Sequence, residues 1–112
     1  MLETDIETHG FAYRVAGGAG YDCLNSNQDW IGNQKQWLEA YMERMVRAYH
    51  RDKNQPCIFS WSTGNESGYG KNLRAAAEYI KSVDDTRLVH YESTHKLDDT
   101  SDDVLDVVSR MY

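Results

Sequence analysis

Two cysteines and a single proline are all that the 112 residues contain of either type. Cys23 and Cys57 are too few for a disulfide scaffold. The chain opens Met1-Leu2-Glu3-Thr4-Asp5, with neither a basic nor an apolar leader, so no export signal is expected. Both thiols are therefore expected to be reduced, in a cytoplasmic protein. No run approaches the 18 or so apolar residues of a membrane-spanning helix. Basic side chains are in deficit, 12 against 18 acidic ones for a formal charge of -6, which argues against a nucleic-acid partner whose phosphates attract a basic face. Internal repeats and low-complexity tracts are missing as well. The length allows one small domain with one modest core. What stands out is aromatic: three Trp, eight Tyr and two Phe bring the aromatic share to 12%, rich for a domain dominated by surface. Such residues pack cores, and they also build sugar platforms and partner-facing patches.

The segment Asp5-Ile6-Glu7-Thr8-His9-Gly10 reads as the end of a strand, with Ile6 and Thr8 on one side and Asp5, Glu7 and His9 on the other. A glycine- and asparagine-rich loop follows to about residue 33, longer than compact domains carry without a reason. From about Asn33 to Asp52, Trp37, Leu38, Tyr41, Met42, Met45, Val46 and Tyr49 fall on one helical stripe, and Glu43 and Arg47 form an i, i+4 pair on the wet side. Asn54-Gln55-Pro56 ends that helix. Cys57 to Ser62 is an apolar run of buried-strand length, which makes Cys57 a small core residue. A glycine-flanked turn spans 64 to 70. A second helix is expected over Asn72–Val83 with Leu73, Ala76, Ala77, Ile80 and Val83 inward, then a strand over Arg87–Glu92, an acidic connection, and a strand over Val104–Met111. Strand and helix alternate, which predicts a parallel sheet with right-handed crossovers.

In such units chemistry gathers where strands end and loops begin. Glu7 and His9 face the same way on an extended chain and could hold a divalent cation with Glu66 as third ligand, or form a solvated Glu–His pair. Glu66, between Gly64 and Gly68, is a candidate general acid if burial raises its pKa. It is equally a helix N-terminal carboxylate facing the macrodipole. Asn65 beside it offers a donor and an acceptor to a sugar hydroxyl. Other features point to no chemistry. Gly17-Gly18-Ala19-Gly20 lacks the lysine and helix of a phosphate loop, the aspartates from Asp98 to Asp106 lack calcium-loop spacing, and His50, His90 and His95 have no partner at ligand spacing.

Taken together, Ile6-Glu7-Thr8-His9-Gly10, Arg51-Asp52-Lys53-Asn54-Gln55-Pro56, Trp61-Ser62-Thr63-Gly64-Asn65-Glu66-Ser67-Gly68, Ile80 to Asp84, Val89-His90-Tyr91-Glu92 and Met111-Tyr112 resemble the central barrel of glycoside hydrolase family 2 β-galactosidases. The resemblance runs along nearly the whole chain. It implies an α/β fold that is a partial (β/α)8 TIM barrel, about the third to sixth strands with their helices, over 1–112 as one fragment of the catalytic domain; a whole barrel needs roughly 250 residues. It further implies that Glu66 is the acid/base, Asn65 binds the sugar 2-hydroxyl, Tyr112 hydrogen-bonds the nucleophile, and Glu7, His9 and Glu66 ligate an active-site Mg2+. The family's nucleophile is a glutamate after the seventh strand, which has no counterpart here, and Glu92 is not a substitute. The chain is thus expected to belong to a retaining β-galactosidase hydrolysing terminal β-D-galactosides, to be inactive alone, and to bind Mg2+ weakly or not at all. Gln55 and Tyr69 stand where the family commonly has His. The alternative is a non-catalytic structural or interaction module that self-associates through open sheet edges and a sheet face carrying Trp30, Trp37, Phe59, Trp61 and Tyr91.

Overall fold

The chain's single proline marks the first boundary. The computed structural model describes residues 2–3, 31–64, 69–92 and 103–109. Within them run β1 (Leu2–Glu3), two short 3-10 turns (Ile31–Asn33 and Lys35–Trp37), α1 (Leu38–Asp52), β2 (Ser60–Ser62), α2 (Lys71–Val83), β3 (Leu88–Glu92) and β4 (Val107–Ser109). α1 closes when the Lys53 N–H donates to the Tyr49 carbonyl at 2.8 Å, and the chain turns back as the Gln55 N–H reaches Asp52 O at 2.9 Å. Pro56 has no N–H to extend the helix and biases Gln55 out of the helical region.

All strand pairs are parallel, and the strands lie side by side in the order β1-β2-β3-β4. A sheet wound without reversal has no switch point of the doubly wound kind. It is the arrangement of an arc of barrel, and among the described residues the arc is open, with β1 and β4 at its edges. Trp61 pairs with Leu2 on one side and Val89 on the other, while Ser62 pairs with His90. Because strand side chains alternate, this register sorts the two faces. Trp61 and Val89 enter one cluster with Met45 of α1 and Ala76, Ala77 and Ile80 of α2, all buried. Both helices therefore cover the same face. Ser62 and His90 occupy the other, where the Ser62 hydroxyl sits 3.0 Å from His90 Nδ1. A second cluster joins Tyr41, Leu73 and Tyr91, with Tyr69 and Leu105 packed against it.

Polar side chains lock the sheet to its helices. The Asp84 carboxylate, at the end of α2, accepts from Trp61 Nε1 at 2.9 Å, from the Thr86 N–H and hydroxyl at 3.0 and 2.6 Å, and from Arg87 at 2.7 Å. Arg87 in turn donates to the carbonyls of Ile58, Lys53 and Gln55 at 2.8, 2.8 and 3.3 Å, and its guanidinium lies 5.4 Å from the Trp61 ring. Arg87, anchored by Asp84, thus ties the α1–β2 connection to the α2–β3 connection. Burial pushes the Asp84 carboxyl up, but the bonds from Thr86, Trp61 and Arg87 outweigh it and hold the group well below the usual carboxylate range. Asp106 plays the same part before β4. Its carboxylate accepts from the Val89 N–H at 2.8 Å while its own N–H donates to the Val89 carbonyl at 2.9 Å, and Lys81 pairs with its other oxygen. There too burial is outweighed, by Lys81 and the Val89 N–H, and the carboxyl is held low.

Several expectations need correction. Cys57 is exposed in the turn ahead of β2 and is not a core residue, because the turn that follows Pro56 delays pairing to Ser60. Phe59 is likewise 66% exposed. The first turn expected of α1 is 3-10, and the buried stripe of the helix is Tyr41, Met45 and Ala48; Trp37 is exposed. Val83 is exposed at the end of α2. Trp61 and Tyr91 belong to the helix-covered core and not to an uncovered sheet face. The Glu43–Arg47 pair forms at 2.5 Å, but on a solvated surface where such pairs contribute little. Trp30 and the segment 5–10 lie outside the described residues.

Candidate functional site

Buried polar residues gather at the carboxyl end of β2 and beside it on β3. Beyond Ser62 the pairing continues: the Thr63 N–H and hydroxyl both donate to the His90 carbonyl, at 2.8 and 3.2 Å. Thr63, Ser62 and His90 are all buried. The Ser62 hydroxyl lies 3.5 Å from the Gly64 carbonyl, so it spans from His90 to the first residue of the loop after β2. That loop returns at Tyr69, whose ring meets Tyr91 at 5.0 Å between centroids. Spacing along the chain found no partner for His90, since Ser62 is 28 residues away. The only signal that could have found it is strand parity once the β2–β3 register is known.

The start of α2 is capped from a distance. Gly70, its own N-cap position, has no side chain to offer, and the Lys71 N–H is satisfied by Asn33 Oδ1 at 3.0 Å. The Asn72 amide donates to the Gln34 carbonyl, also at 3.0 Å. The 3-10 turns are thereby held against the helix terminus that follows the loop. Gly70 is required by this approach: a Cβ there would lie 2.5 Å from Asn33 Oδ1 and 2.8 Å from the Gly32 carbonyl. Gly70→Ala is therefore expected to cost roughly 1–3 kcal/mol, the usual range for overpacking, because the backbone carbonyl cannot swing away and the Asn33 cap must. A urea titration checks this; the midpoint should fall with the slope unchanged.

Glu7, His9, Asn65, Glu66 and Tyr112, the site residues named from the sequence, all lie outside the described residues. Among the described residues no three His, Cys, Asp or Glu side chains group to hold a metal ion, and no helix is long and apolar enough to cross a membrane. The structure instead supplies the frame around residues 65–68: Gly64 on the β2 side, and Tyr69 and Gly70 on the α2 side.

Comparison with known proteins agrees with this frame. The family described as glycosyl hydrolases family 2, TIM barrel domain, matches residues 1–112. The β-galactosidase of Pectobacterium atrosepticum is 43% identical over 90 residues, which cover 80% of this chain and 7% of that protein. The β-galactosidase large subunit of Leuconostoc lactis is 35% identical over 112 residues, all of this chain and 17% of that protein. The β-galactosidase of Lactococcus lactis is 36% identical over 112 residues, all of this chain and 10% of that protein. The chain thus spans between 7% and 17% of the length of these relatives. A parallel, sequentially ordered βα arc and a match along its full length lead to one conclusion: the chain belongs to the TIM-barrel domain family of the glycosyl hydrolases family 2.

Proposed function

We propose that these residues form the acid/base-bearing segment of a retaining β-galactosidase that hydrolyses terminal β-D-galactosides. The observation that supports this most is the match of the whole chain to β-galactosidases of 35–36% identity, on a sheet whose strand order is that of a barrel arc. In this reading Glu66 protonates the departing oxygen and later deprotonates water, Asn65 holds the sugar 2-hydroxyl, and Tyr112 hydrogen-bonds the nucleophile. A retaining glycosidase needs two carboxyl groups roughly 5–5.5 Å apart, and these residues supply one of them. The donor set of Glu7, His9 and Glu66, two carboxylates and an imidazole, suits a hard divalent cation such as Mg2+. Bound there, the ion would supply positive charge beside the acid/base; without the rest of the barrel to preorganise the ligands, binding is weak or absent.

The test is an exchange. Replacing the aligned segment of Lactococcus lactis β-galactosidase with these 112 residues should give a chimaera that hydrolyses o-nitrophenyl β-galactoside. The chain alone should give no turnover above buffer. A second reading, self-association as a non-catalytic module, is favoured by the open edges at β1 and β4 and by the exposed Phe59 and Leu88. A chimaera that assembles but is inert, beside a chain that forms stable oligomers, would replace the first reading with the second.

A further inference from the structure

We infer that Tyr69 is a positioning residue for the acid/base loop, acting by holding its downstream end to β3; this rests on the role proposed for Glu66. Four residues, 65–68, join Gly64 to Tyr69, and the chain on each side of them is fastened to one of two neighbouring residues of β3, His90 and Tyr91. Upstream, Thr63 gives both its N–H and its hydroxyl to the His90 carbonyl, at 2.8 and 3.2 Å. Downstream, the Tyr69 ring packs on the Tyr91 ring at 5.0 Å with the planes inclined by 46°. Tyr91 is buried among Tyr41 and Leu73, so it is an immobile surface for its partner. Aromatic pairs at this separation contribute beyond the area they bury. The third tether, Asn33 on the Lys71 N–H at 3.0 Å, fixes the backbone two residues beyond Tyr69.

Two fastenings on neighbouring residues of one strand set the span that the four intervening residues must bridge. Of these fastenings, the upstream one keeps a backbone bond that extends the ladder of the sheet and that any residue but proline would continue, with the Thr63 hydroxyl added to it. The downstream one is a contact between two rings. Tyr69 is therefore the residue at which the span depends most on side-chain identity. Loosening it would let a proton donor carried by the loop drift from the glycosidic oxygen, and proton transfer demands hydrogen-bond reach.

A misplaced acid has a recognisable kinetic signature. A phenol made acidic by a nitro group departs without a proton, whereas an ordinary phenol needs one. In the chimaera, Tyr69→Ala should lower kcat/KM for phenyl β-galactoside by ~10-fold or more, in line with the cost of small misplacements, and by less than ~3-fold for o-nitrophenyl β-galactoside, whose leaving group needs little help from the acid. Tyr69→Phe, which keeps the ring pair, should stay within ~2-fold of the parent on both. Equal losses on the two substrates for Tyr69→Ala would mean a smaller folded fraction and would overturn the positioning role. So would parent-like values on both. An inert parent chimaera would overturn the proposed function itself, and this role with it.

Discussion

Replacing Asp84 with alanine should lower the unfolding free energy of the chain by about 3–5 kcal/mol, the cost of stranding one partner of a buried ion pair. The Asp84 and Arg87 side chains are only 5% and 16% exposed, so water cannot replace what the substitution removes. Loss of the carboxylate orphans the buried Trp61 indole N–H and releases the turn that Thr86 closes on Asp84. It also leaves Arg87 held by carbonyls alone. A small domain has about 5–15 kcal/mol in all, so Asp84→Ala should forfeit a large share of it and shift the urea midpoint well below the parent's. Arg87→Ala should cost a similar amount, and the double variant less than the sum, since both break one network. The sign with pH follows from the lowered carboxyl: its contribution is complete above the unfolded value of about 4 and is lost as pH falls below it. Parent stability should therefore hold near neutrality and drop in acid, with Asp84→Ala showing a flatter acid limb. A urea midpoint for Asp84→Ala within experimental error of the parent at pH 7 would show that the network adds nothing.

The largest effect on activity is expected at Glu66. In the chimaera, Glu66→Gln keeps the size and hydrogen-bonding reach of the side chain but cannot give or take a proton. Cleavage of phenyl β-galactoside, which needs a proton on the leaving oxygen, should slow by about 10²–10⁴-fold. With o-nitrophenyl β-galactoside the first step should suffer far less. Its second step, water attacking the glycosyl-enzyme, still needs a base, so nitrophenol should appear as a burst followed by slow turnover. Unchanged turnover of phenyl β-galactoside would remove Glu66 from the acid/base role.

How much of this was open to a reader of the sequence depends on the distance between partners. Tyr41 and Met45 lie one turn apart and Pro56 acts on its own neighbour, so α1 and its end were legible. The parallel sheet followed from alternation, which is a property of order along the chain. Asn33 capping Lys71 across 38 residues, or Ser62 meeting His90 across 28, leaves no local period to detect. The sequence points Cys57 to the core because an apolar run looks the same whether or not its first residues pair, and it is the turn after Pro56 that leaves Cys57 exposed. The candidate site stands differently, since Glu7, His9 and Glu66 lie outside the described residues. Their spacing alone fits a metal or acid site as well as ordinary surface groups, and the roles proposed for them rest on the resemblance.

The strand order has a further consequence for how such a chain is built. Each strand pairs with the one made just before it, so every new βα unit can add to an edge already in place as the chain leaves the ribosome. Asp106 clasps both backbone groups of Val89 immediately ahead of β4, which sets the register of that addition before the strand itself is complete. Growth in this direction leaves the β1 edge as it was and moves only the opposite one, so each newly made strand meets a single advancing edge of its own chain.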